Sequence, residues 1–177
     1  GVDSVQELGL ITVNKHAFIG KVSSPTTDTG LGDLGEVTLT LRPDAKPRVL
    51  PSRRIPFALE DEVHQQIDKL VERGILVRVE EPTAWVSQLA VTRKESDGSL
   101  RICIDPQPLN EALMREHYKM PTLDDVLPQL NNAKVFSKLD VKEAFWHVRL
   151  DEESSRLTTM ITPFGRYRWA RLPFGLN

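Results

Sequence analysis

The chain has 177 residues, 40% hydrophobic and 27% charged, with a formal net charge of −2; one buried core is within reach, and gripping nucleic acid by sheer positive charge is excluded. Its apolar runs are a few residues long against the roughly 20 needed to cross a bilayer, and no basic-then-apolar leader opens it, so neither a membrane nor a secretion signal is expected. The single cysteine, Cys103, has no partner for an internal disulfide, which fits a reducing compartment.

Residues 1–42 read as an N-terminal extension or linker: Ser23 to Gly35 is rich in Ser, Thr, Pro, Asp and Gly, and LGEVTLTL (Leu34 to Leu41) alternates like a short strand. Pro43, Pro47, Pro51 and Pro56 then keep the backbone extended over a surface. Lys46 to Arg54 carries four basic residues and Gly165 to the end three arginines, while Glu60 to Glu81 is acidic; such runs are either local basic strips or solvated faces.

FALEDEVHQQIDKLVERG predicts a helix with Val63, Ile67, Leu70 and Val71 inward, acids in its first turn, Lys69 and Arg73 in its last, and Gly74 as the stop. Ile75 to Val79 reads as a strand and Glu81-Pro82-Thr83 as a turn. QLAVTRK, ESDGS and LRICID then predict a hairpin centred on Asp97-Gly98. A two-residue turn there puts Ser96 opposite Ser99, Glu95 opposite Leu100 and Lys94 opposite Arg101. Like charges directly opposite destabilise a hairpin, so either a bound anion gives the pairing a reason or both side chains splay into water.

Thr122 to Asp125 predicts a capping box opening a short helix with Leu123, Val126 and Leu127 inward until Pro128 distorts it. VFSKLD (Val135 to Asp140) reads as a strand ending in a carboxylate, and LTTMITPFGRYRWARL as two strands around Pro163-Phe164-Gly165. Helices and strands mix without regular βαβ alternation, so the fold class expected is α+β.

Asp140, with Glu143 three positions on, is a common arrangement for presenting a divalent cation to a phosphate, and equally a common way to cap a turn. A lone Asp supplies too few ligands to decide. His16, His64, His117 and His147 lack zinc-ligand spacing with one another or with Cys103. Neither common glycine-rich phosphate loop nor a nucleophile elbow occurs, and the aromatic pair Phe145-Trp146 is more often core than ligand platform.

Seven pieces, in order, resemble the reverse transcriptases of Ty3/gypsy-type retrotransposons and, more distantly, retroviruses: RRIPFALEDEV, RGIL, PTAWVSQLAVTRKESDGSLRICIDPQPLN, HYKMPTLDDVLPQL, AKVFSKLDVKEAFWHVRLDEES, TTMITPFGRYRW and RLPFGLN. The resemblance implies the fingers of a right-hand polymerase over residues 43–177, interrupted by a palm slice at about 119–147, with residues 1–42 a linker or the tail of an upstream protease region. It implies an RNA-directed DNA polymerase using two Mg2+ ions. Asp140 matches the first of three catalytic aspartates, and the carbonyl of Val141 is expected to join the metal shell.

Lys94 and Arg101 match residues that hold the incoming deoxyribonucleoside triphosphate. Glu143 and Ala144 match positions beside it, chiefly through backbone groups; Phe145 matches the aromatic gate under the sugar, and Phe174 a position near sugar and base. Implied partners are an RNA or DNA template–primer and the remaining Pol polyprotein, namely the rest of the palm, thumb, RNase H and integrase, in cytoplasm or virus-like particles, with no membrane. Gln107 stands where arginine is usual and Gln88 where proline is common. The Tyr-x-Asp-Asp motif with the other two aspartates does not occur in the 177 residues, so no activity of the chain alone is expected; the alternative is a domesticated, non-catalytic nucleotide- or nucleic-acid-binding module.

Overall fold

The computed structural model describes residues 30–94, 98–115, 118–130, 134–135, 137 and 140–176. The hairpin residues 95–97, and positions 136, 138 and 139 of the strand expected at Val135 to Asp140, lie outside the described residues. So does most of the loop expected from Ser23.

In chain order, β1 (Glu36–Val37) precedes a helical turn at Phe57–Leu59 and helix α1 (Glu60–Glu72). Strands β2 (Leu76–Val79), β3 (Ser87–Arg93) and β4 (Leu100–Asp105) lead to α2 (Gln107–Ala112) and α3 (Leu123–Val126). A tight turn at Ala144–His147, β5 (Arg149–Leu150), α4 (Glu152–Leu157), β6 (Met160–Thr162) and β7 (Gly165–Trp169) complete the order. Five strands form one mixed sheet, β2-β7-β6-β3-β4, in which only β3 and β6 run parallel. The α+β class is the one the sequence led to.

Helix α1 forms where the periodicity placed it. Val63, Ile67 and Leu70 are buried on its inner side and pack in one cluster with Leu89, Leu100, Ile102, Ile104, Met160 and Trp169. Val71, expected inward, is 38% exposed, because one step past Leu70 turns about 100° around the axis. The helix ends in a Schellman motif: Gly74 N donates to Val71 O at 2.9 Å and Ile75 N to Leu70 O at 2.9 Å, with Gly74 at φ +67°. Arg73 is thereby fixed at the C-cap, where the chain turns into β2.

Between Leu34 and Leu41 only Glu36 and Val37 pair, in parallel with Arg149 and Leu150. Beyond them the backbone is engaged elsewhere: Leu39 N donates to Ser154 Oγ at 2.7 Å, and Leu41 bridges Leu113. Leu31 is buried in the main cluster.

The hairpin register differs from the expected one by two residues. Thr92 lies opposite Arg101 and Arg93 opposite Leu100, while Lys94 N donates to Ser99 O at 2.9 Å. Four residues, not two, thus separate the last pair. Gly98, at φ +69°, donates to Lys94 O at 2.9 Å and closes the loop. A shift of two keeps every side chain on its face, so Lys94 and Arg101 become diagonal neighbours on the same side.

The capping box forms as expected, with Thr122 Oγ accepting from Asp125 N and Asp125 Oδ2 accepting from Thr122 N at 2.8 Å. Its helix does not bury its apolar side chains: Leu123 is 70% and Leu127 51% exposed. No element packs over that face among the described residues. Pro128 sits in a tighter turn at Leu127–Leu130, consistent with the expected distortion. Helices α2 and α4 were not anticipated. Among the described residues no helix is long and apolar enough to cross a membrane.

Candidate functional site

A cleft of about 740 Å³ opens between the C-terminal half of α1, the β3–β4 hairpin and the Asp140–Trp146 segment. Asp140, Val141, Glu143, Ala144, Phe145, Lys94, Arg101 and Phe174 all line it, so the eight candidate metal- and nucleotide-site residues border one volume. Gln66, Lys69, Leu70, Glu72 and Arg73 contribute a helical wall that sequence reasoning missed. Its signal was visible: Gln66, Lys69 and Arg73 follow the i, i+3, i+7 spacing of one face, beside the buried stripe.

Asp140 is exposed and forms no hydrogen bond or ion pair with the described residues. Glu143 is different. Its Oε2 accepts from Arg73 Nη2 at 2.6 Å and its Oε1 from Nη1 at 3.4 Å, a forked contact with side chains 25% and 31% exposed. The Arg73 hydrogen bond, opposed by partial burial and helped by the charges of Arg73, Lys142 and Lys94, holds the Glu143 carboxyl below its ordinary range. Lys94 at the hairpin tip is therefore in electrostatic reach of the Asp140–Glu143 turn.

That turn is tightly wound. Glu143 has φ 55° and ψ 38°, and a left-handed non-glycine residue costs roughly 1–2 kcal/mol. Two contacts over-determine it. On one side stands the Arg73 fork; on the other, His147 Nε2 lies 2.9 Å from Lys142 O while its Nδ1 accepts from Gly32 N at 2.7 Å. Those bonds require the neutral ring with its proton on Nε2. A Cβ at Gly32 would lie 2.8 Å from His147 Nδ1, so the close approach calls for glycine.

The cleft's aromatic edge is continuous. Phe145 meets Phe174 edge-on with centroids 5.0 Å apart, Trp146 meets Phe174 at 5.7 Å, and the Arg101 guanidinium lies 5.1 Å above Phe174. Trp146 is buried, whereas Phe145 is 46% exposed and faces usable space. The expected core pair thus divides into one core residue and one cleft residue. Arg101 is left with its charge unpaired by any described carboxylate, over an aromatic face.

Which cation the cleft suits follows from its donors. The Asp140 carboxylate and Val141 carbonyl are hard oxygen ligands of the kind Mg2+ takes, but two donors fall short of an octahedral shell. Glu143 is committed to Arg73, and no group of three or more His, Cys, Asp or Glu side chains gathers among the described residues. The residues present therefore fit part of a magnesium site. Cys103 is no nucleophile in waiting, since burial raises its thiol above the usual range.

Residues 92–177 match the family described as "Reverse transcriptase (RNA-dependent DNA polymerase)". Over 143 residues the chain is 36% identical to the retrovirus-related Pol polyprotein from transposon 412 of Drosophila melanogaster, covering 76% of this chain and 11% of that protein. The fold is similar to the protease–reverse transcriptase of prototype foamy virus, with TM-score 0.63 and 23% identity over 76% of this chain and 18% of the other. A foamy viral protease–reverse transcriptase solved with double-stranded DNA gives TM-score 0.54 and 20% identity, covering 82% and 23%. The chain spans about a tenth of the transposon polyprotein's length.

Proposed function

From the premise that residues 92–177 belong to the reverse transcriptase family in its retroviral polyprotein form, we propose that this chain is the nucleotide-facing part of an RNA-directed DNA polymerase. The cleft takes a deoxyribonucleoside triphosphate. Residues 43–177 are fingers interrupted by a palm slice near 119–147, and the template–primer lies across them. The supporting observation is the convergence of Asp140, Lys94, Arg101, Phe145 and Phe174 on one cleft from three separate stretches of chain.

Each residue has a role its chemistry allows. Lys94 and Arg101, on one face of the hairpin and unpaired by described carboxylates, neutralise the triphosphate. Phe145, edge-on to Phe174 at the cleft edge, sits under the sugar and leaves no room for a 2′-hydroxyl. Phe174, carrying Arg101 over its face, couples the phosphate-binding side to the sugar-binding side. Asp140 and the Val141 carbonyl would hold magnesium, which when bound neutralises phosphoryl charge and eases attack by a primer 3′-hydroxyl.

One carboxylate and one carbonyl do not hold two ions, so the chain works as part of a longer polyprotein carrying Tyr-x-Asp-Asp. The exposed apolar side chains of Met120, Leu123 and Leu127 are the surface that the rest of the palm would cover. In the complete polymerase, Asp140→Asn is expected to abolish primer extension with the fold intact by circular dichroism. Extension at the wild-type rate would end the reading.

A further inference from the structure

Arg73 caps helix α1 as the first residue of the RGIL piece, to which the resemblance assigns no role at the cleft, yet it makes the shortest ion pair among the described residues, at 2.6 Å. Both edges of its fork are spent on the two oxygens of Glu143, and its guanidinium carbon lies 5.4 Å over the Trp146 ring. These contacts tie the cation to the turn through Glu143. The Schellman stop at Gly74 fixes the Arg73 backbone at the C-cap.

The contact has a local consequence. Glu143 is the one described non-glycine residue at positive φ, and it opens the tight turn Ala144–His147 through the bond from Trp146 N to its carbonyl at 2.9 Å. Releasing its side chain removes one of the two contacts that hold it in the left-handed region, leaving the His147 contact alone to resist relaxation of the Val141–Ala144 backbone beside the cleft. The same contact commits the Glu143 carboxylate to Arg73.

We propose that Arg73 is a positioning residue for the incoming nucleotide: by clamping Glu143 in its left-handed conformation it sets the Val141–Ala144 backbone against which the triphosphate docks. The inference rests on the polymerase reading of the cleft. It predicts an effect on nucleotide binding, not on the amount of folded enzyme.

The test is steady-state primer extension by the complete polymerase, comparing Arg73→Ala, Glu143→Gln and the double variant, with Asp140→Asn alongside. Losing a charge-assisted forked contact should raise the nucleotide KM about ten-fold in each single variant. The double variant should be no worse than either single one, because both remove the same contact. The KM for primer–template should not move more than about two-fold, whereas a merely structural role lowers kcat through the active fraction and leaves both KM values alone.

Should Arg73→Ala fail to fold, Arg73→Lys is read instead: lysine keeps the charge but cannot fork, so its nucleotide KM should still rise. An inactive Asp140→Asn together with an unchanged nucleotide KM, a loss confined to kcat, or additive single effects overturns the role of Arg73 while sparing the polymerase reading. An active Asp140→Asn overturns that reading itself.

Discussion

Helix α1 with its five-stranded sheet and the stretch from Tyr118 to Leu130 contain comparable apolar side chains, yet only the first region buries them. Ile67 and Trp169 are fully enclosed, while Met120 is 75% and Leu123 70% exposed. Both regions nevertheless form their local structure, α1 through its Schellman stop and α3 through its capping box. Local hydrogen bonding is thus enough to shape a turn of helix, whereas burial needs a second surface. The cleft belongs to the first region: a wall from α1 and the hairpin faces the short, strained turn after Asp140.

Substitutions should separate the regions sharply. Trp169→Ala empties the centre of the packed region and is expected to cost about 3–5 kcal/mol in urea denaturation; a cost near that of a surface change would break the contrast. A smaller effect belongs to acid. The Glu143 carboxyl is held below its ordinary value of 4.5, so its contribution is complete above that value and lost as pH falls through the lower folded one. Unfolding midpoints of the parent should therefore decline in that acid window, and Glu143→Gln should remove part of the decline; parallel curves would mean that the Arg73 pair contributes nothing to stability.

Thr122→Ala sharpens the comparison further. Loss of the cap should cost about 1 kcal/mol, but only in the local opening of α3, read as faster amide exchange at Asp125 and Val126 with an unchanged global midpoint. A lowered global midpoint would show that α3 folds with the core. Smallest of all, Leu123→Ser should change the stability of this chain by no more than about 0.5 kcal/mol. If the palm covers that face in the complete polymerase, Leu123→Ala there should cost about 2–5 kcal/mol instead.

Much of the candidate site was legible beforehand, because the pieces Thr92 to Asp105, Asp140 to Phe145 and Leu172 to Gly175 carry a recognisable order of residues. The face shared by Lys94 and Arg101 was also legible, since a hairpin shifted by two residues keeps its alternation. Its register was not: Asp97-Gly98 suggested a two-residue turn, and the closure at Gly98 from a longer loop has no unique signature in that pair. Arg73 was read as a helix-end charge, which is what its neighbours in the chain imply.

By itself the sequence determined what depends on residues within a turn or two of one another: the extent and stop of α1, the capping box at Thr122, the β6–β7 turn and the alternation of β3 and β4. Only the tertiary structure decided which surfaces meet: the pairing of Arg73 with Glu143 across 70 positions, the insertion of Gly32 against His147, the exposure of Leu123 and the joining of eight separate residues around one cleft. The physical reason is range. Backbone torsions and caps respond to adjacent side chains, but a contact across the chain forms only when packing elsewhere has already brought its two ends together.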